Sequence, residues 1–213
     1  QVIDELLAIY QGLPPNLSTY PRENVPVLAM FWVCFNSLFH ASRSILEGHV
    51  SEAFTMISRS AEALAYARKM ALNPALIPIW ITRNDLGRSE YQRQFGQPFP
   101  SNDNLLHPEI WNIYNTTSDY GRHPNMSATI FTSNFENMRS TNQVVFTHAY
   151  FEDETNLKRC INYTIHSYLR FIRIFTVIFD GHISGGWLGQ LQDLEERYDQ
   201  YRQSLRSEFL ASP

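Results

Sequence analysis

The chain has 213 residues and 24.8 kDa, is 44% hydrophobic and 18% charged, and carries 17 basic against 21 acidic side chains, a formal charge of −4. At this length folding can remove roughly 70% of the unfolded chain's surface from water, so one hydrophobic core is within reach and intrinsic disorder is excluded. Nine Gly and eleven Pro exclude collagen-like or low-complexity sequence, two cysteines (Cys34 and Cys160) exclude a disulfide scaffold and a four-thiolate zinc site, and the negative charge without any dense basic stretch excludes a dedicated duplex-DNA binder.

In chain order, Val2, Ile3, Leu6, Leu7 and Tyr10 form a helical stripe that ends at Gly12 and the Pro14-Pro15 pair. Asn24 is placed to cap the next helix, Pro26 is tolerated in its first turn, and Gly48 can adopt the left-handed conformation that stops it after Glu47. Its most apolar part, Val25 to Ala41, is interrupted by Asn36 and His40 and falls short of about 20 clean apolar residues, so it is read as a buried helix and not a membrane span. Val50 to Leu72 then folds back as the second arm of an antiparallel helix pair, its small residues from Ser58 to Ala67 permitting close helix approach, and Asn73-Pro74 ends it. A short helix through Ile77, Trp80 and Ile81 follows.

Residues 84–152 read as a polar excursion: a helical turn around Tyr91 to Phe95, a helix from Glu109 to Tyr120 closed by Gly121, and a small β-hairpin of Ala128 to Phe135 with Gln143 to Phe151. Asp153 can cap a long central helix with Leu157, Ile161, Thr164, Tyr168, Phe171, Phe175 and Ile178 on one face, apolar nearly all round from Phe171 to Phe179 except at Arg173. After Gly185-Gly186, the residues Trp187, Leu191, Leu194, Tyr198, Tyr201 and Leu205 recur at heptad-like spacing, a stripe that can seat on the chain's own core or on a second copy. Asp193 with Arg197 and Asp199 with Arg202 form expected exposed pairs. The predicted fold is a single mainly α domain over 1–213: a bundle of six or seven helices with an antiparallel helix hairpin and an inserted β-hairpin.

Two polar clusters are candidates for chemistry. Arg59, Glu62 and Tyr66 share one helix face, where Arg59 is either half of a structural ion pair or a clamp for a carboxylate or phosphate. Tyr114, Ser118, Asp119, Arg122, His123 and Asn125 gather at and beyond the end of the Glu109 helix. They form either a capped helix end or a site in which Asp119 orients a His123 acid or base while Arg122 and Asn125 bind an anionic substrate. Phosphate-loop, dinucleotide, nucleophile-elbow and histidine metal motifs do not occur in the sequence, so no cofactor and no metal is expected. No secretory signal pattern is present either, and a cytoplasmic location is expected.

The run Ile45-Leu46-Glu47-Gly48-His49-Val50-Ser51-Glu52-Ala53, followed by Arg59-Ser60-Ala61-Glu62-Ala63, resembles a group of uncharacterised bacterial helical proteins. There a helix pair joined at a Gly carries Arg-Ser-x-x-Glu-Ala, and a later segment is similar to Tyr114, Ser118 and His123. The resemblance covers about a third of the chain. Some members are similar to HEPN domains, which include metal-independent ribonucleases that use Arg-x4-6-His. Two pairs here fit that spacing, Arg43 with His49 and Arg159 with His166, against roughly 1.5 expected by chance. Arg159 and His166 share a face of the late helix, although Cys160 follows the Arg where the family commonly has a polar residue. The resemblance implies a ribonuclease in which His166 is the general base and Arg159 stabilises the phosphorane-like charge, with RNA as partner. The reading from the residues alone is a binding or interaction module for a small anionic ligand, dimeric through the Trp187–Leu205 helix.

Overall fold

Two long helices separated by a three-residue turn at Gly48 set the frame. A computed structural model describes residues 1–13, 20–82, 88–121 and 154–211, and within it Val25–Leu46 (α2) and Val50–Leu72 (α3) pack against each other along most of their length. Gly48 takes φ 84°, which a Cβ would disfavour by about 1 kcal/mol or more. The chain then reverses, with the His49 amide donating to Ser44 O at 2.7 Å. Val2–Gly12 (α1) precedes the pair, and a 3₁₀ turn over Arg22–Asn24 leads into α2. Leu76–Ile81 (α4), Arg88–Phe95 (α5), Glu109–Gly121 (α6), Glu154–Ile178 (α7) and Gly185–Ala211 (α8) follow.

The protein is mainly α, with eight α-helices and no strand among the described residues. The expected hairpin of 128–135 with 143–151 lies outside the described residues, as does the expected cap at Asp153. The helix beyond the expected six or seven is α5, which makes two turns where one was foreseen. Its end is fixed from α3: Lys69 Nζ donates to Gln94 O at 2.8 Å and Gln97 O at 2.7 Å, and Phe95 is buried against Tyr66 and Tyr91.

α3 is the hub, touching α2, α6 and α7. Its small side chains make this geometrically feasible, since Ser58, Ser60, Ala61, Ala65 and Ala67 are all fully buried. Its contact with α6 brings the two backbones close. A Cβ at Gly121 would lie 2.5 Å from Thr55 N and 2.9 Å from both Phe54 C and Ser51 O, so Gly121, the last residue of α6, is also required for backbone approach. α7 supplies the large apolar payload. Phe171, Phe175 and Phe179 are fully buried, each worth about 2–3 kcal/mol of transfer free energy; Phe175 and Phe179 meet Phe31 of α2 edge-on, Phe31 stacks on Tyr10 of α1, and Phe171 packs edge-on against Tyr168. Two tyrosine hydroxyls that enter this core are paired: Tyr10 OH donates to Tyr168 O at 2.9 Å, and the Tyr168 and Ser60 hydroxyls bond each other at 2.9 Å.

Two local expectations change on inspection. Asn24 occupies the N-cap position of α2, but its side chain makes no cap bond and its Oδ1 is buried without a partner, because the 3₁₀ turn already orders the chain there. The cap that does form was not foreseen: Ser184 Oγ accepts from the Trp187 amide at 3.3 Å to open α8. The stripe of α8 is covered by its own chain, on α1 and α7. Trp187, Leu191, Leu194, Tyr198 and Leu205 are buried, and Trp187 Nε1 donates to Ile9 O at 3.0 Å. The spacing that suggested a dimer seam is therefore satisfied within the monomer. Arg197 takes the Glu5 carboxylate of α1 at 2.6 Å and the Asp193 backbone carbonyl at 3.2 Å, not the Asp193 side chain.

Candidate functional site

Charged side chains on an otherwise apolar helix face need partners, and the neighbouring helices provide them for α7. One face of α7 carries His166, Arg170 and Arg173 at spacings of four and three, and α8 opposes it with Glu195, Tyr198, Asp199 and Arg202. Together with Leu169 these residues line a cleft of about 210 Å³ between the two helices. α6 closes one edge. Glu109 Oε1 lies 2.7 Å from Arg170 Nε and 3.7 Å from His166 Nε2.

The three guanidinium groups are not equally engaged. Arg173 holds Glu195 through both Nε and Nη2, a bidentate pair. Arg170 meets Glu109 through one nitrogen. Arg202 is the loosest: its Nη1 stands 3.9 Å from an Asp199 carboxylate that is 67% exposed, while its guanidinium carbon lies 5.8 Å from the centre of the Tyr198 ring. Tyr198 is itself fixed, its hydroxyl donating to Asn162 O at 3.0 Å and Oδ1 at 2.8 Å. His166 titrates below the ordinary histidine range, first because burial penalises the imidazolium and then because Arg170 and Arg202 repel it, with Glu109 and Asp199 pulling weakly the other way. The cleft is thus lined by three guanidinium groups, of which Arg202 is the least engaged, and by an imidazole whose charged form is disfavoured.

The structure brings together some of the predicted residues and separates others. His166 lines the cleft. Arg159, two turns earlier on α7, is exposed and is not among the lining residues; the Arg beside His166 in the cleft is Arg170. Glu62 and Tyr114, from two separate candidate clusters, meet across the α3–α6 contact, with Tyr114 OH donating to Glu62 Oε1 at 3.3 Å. Arg59 and Asp119 are exposed on their helices. Ser118 is buried with its Oγ unpartnered, at 4% exposure. Arg122, His123 and Asn125 lie outside the described residues. Trp111 and Tyr114 also form part of a second cleft of about 360 Å³, with Phe99 and His107, whose rings largely stack on one another.

The sequence offered a signal for the residues missed. Arg173 stands out as the break in the Phe171 to Phe179 apolar run, and His166 precedes it by seven, on the same face. Nothing in spacing alone pairs that face with Tyr198 and Arg202, because the two helices meet only in the fold. Among the described residues no group of three or more His, Cys, Asp or Glu is arranged to hold a metal ion. No family model, curated protein or solved structure matches this chain.

Proposed function

We propose that this chain is a cytoplasmic helical binding module whose ligand is a small anion of phosphate or carboxylate type, held in the α7–α8 cleft. One observation carries the reading: Arg170, Arg173 and Arg202, from two helices, converge on a single cleft beside a half-buried His166. Planar guanidinium forks match the oxygens of such anions two at a time, and a partly dry cleft strengthens each charge-assisted bond. At the cleft mouth the ligand takes the place of Asp199, the carboxylate held at the longest range among these pairs. Arg202 and Arg170 then grip it from opposite helices, with His166 drawn toward protonation beneath.

Thermal unfolding in phosphate, against chloride at matched ionic strength, tests the proposal. A ligand at a hundred times its Kd stabilises by about 2.7 kcal/mol, so a saturable rise in Tm is expected, and Arg202→Gln should remove it. No rise, or an equal rise in the variant, would refute the site.

A second reading is a HEPN-like ribonuclease. Its specific support is the protonation state of His166, which burial keeps neutral near pH 7, as a general base must be. In that reading Arg170, one turn from His166, takes the charge-stabilising role that the sequence pattern gives to Arg159. Incubation with mixed RNA in EDTA, beside His166→Ala, separates the two readings: equal RNA survival removes the enzyme.

A further inference from the structure

α2 buries one face in the core and leaves a second apolar face bare. Val25, Trp32, Phe39 and Leu46 follow one another at intervals of seven and are 53%, 36%, 52% and 69% exposed. Leu28, Phe35 and Ser42 fall between them, so the seam runs 25, 28, 32, 35, 39, 42, 46 in steps of three and four. Leu28 and Phe35 are half-buried, and Ser42 is buried with its hydroxyl unpartnered. Trp32 leans edge-on against Phe35 at 5.5 Å. No Asp, Glu, Lys or Arg occurs from Val25 to Ser42, and the first charge beyond, Arg43, is tied to Glu47 at 2.8 Å.

Three considerations select the occupant. The alternation of three and four is the repeat that admits the knobs of another helix, and its drift of about 20° per heptad wraps that partner left-handed. A lipid surface asks for no such register. Membrane-surface helices also carry Lys and Arg along the polar flank, whereas the exposed flank here holds Asn36 and His40. Although α2, with the turn before it, is long and apolar enough to cross a membrane, 44% of its most apolar window is buried inside the fold, so spanning would expose the core. Area is the third. The four most exposed side chains leave roughly 400 Å² of apolar surface bare, more than scattered hydrophobics leave on a monomer. Doubled across a two-fold axis and extended by the flanking residues, this reaches about 1,200 Å², the lower edge of specific interfaces.

We infer that the Val25–Leu46 face of α2 is a self-association surface, covered by α2 of a second copy of this chain in a two-fold dimer. It is independent of the anion site, which lies on α7 and α8.

Light scattering and sedimentation velocity of the full chain over a hundredfold concentration range test it. The expected result is a mass near twice 24.8 kDa that dissociates on dilution, and a dissociation constant raised at least a hundredfold by Trp32→Glu with Phe39→Glu. Phe39→Ser with Leu46→Ser, at two of the three sites more than half exposed, serves as the milder variant if the first unfolds by circular dichroism, and it should weaken the dimer in the same direction. A wild-type chain that stays monomeric overturns the inference, and so does a dimer indifferent to both variants. Wild-type chain that cosediments with phosphatidylcholine–phosphatidylglycerol vesicles through these residues, without dimerising, assigns the face to lipid instead.

Discussion

Gly121→Ala probes the close backbone contact between α6 and α3. The added methyl carbon would sit 2.5 Å from Thr55 N and 2.9 Å from Phe54 C and Ser51 O. All three are backbone atoms of α3, so no rotamer change can clear them, and α6 must retreat by about 1 Å to restore ordinary contact. Retreat weakens the packing around buried Ile110, Ile113 and Thr117 and stretches the bonds from Ser51 Oγ to Tyr120 O and Gly121 O. Overpacking of this kind costs about 1–3 kcal/mol. Alanine returns at most about 1 kcal/mol of helix propensity, and less at a terminal position. The net expectation is a loss of about 1–2 kcal/mol, which for a chain of this size lowers Tm by about 2–8 °C. Urea and calorimetric unfolding should agree on it. An unchanged or raised Tm would refute the close approach.

Leu194→Glu places a carboxylate at a fully buried position on the α1–α7 seat of α8, so the chain should lose at least about 3 kcal/mol and expose hydrophobic surface; a folded variant would show that the stripe is not buried within the monomer. The His166 environment gives a pH dependence. Because its folded pKa lies below the ordinary 6.5, the stabilisation is fully present above that value and is lost as pH falls through it toward the folded one. His166→Gln should flatten the stability profile as pH falls below the ordinary histidine pKa of about 6.5, and an unchanged slope would contradict the assignment. Burial pushes the Cys160 thiol from 9.0 up to about 11 and the Cys34 thiol further. At pH 8 native Cys160 should then react with a thiol reagent about a hundredfold more slowly than after unfolding; fast native labelling would show that α7 is not packed as described.

Helices were legible in the sequence wherever their signals are local. Gly48 and Asn73-Pro74 punctuate the α2–α3 pair within a residue or two of where it turns, and the α8 stripe from Trp187 to Leu205 is real. What the stripe packs against was not legible, since spacing defines a face and not its neighbour. The same limit explains Gly121: a glycine at a helix end signals a stop, but its need here comes from Thr55 on another helix. Arg197 chose Glu5 over the side chain of Asp193 one turn away, because α1 lies alongside. For the site, His166 was found through a two-residue pattern, while Arg170, Arg202 and Glu109 join it only because α6, α7 and α8 converge. The α2 seam was hidden within a continuous apolar run, where core and surface positions look alike until burial separates them.

The most direct test of anion binding is nuclear magnetic resonance of the His166 ring during a phosphate titration at fixed pH and ionic strength. Binding in the α7–α8 cleft predicts a saturable shift of the His166 signals and a rise in its pKa, with the Arg170 and Arg202 Nε–H resonances following the same isotherm and Arg202→Gln abolishing all three. Signals that stay still, or a response confined to residues outside the cleft, would contradict it.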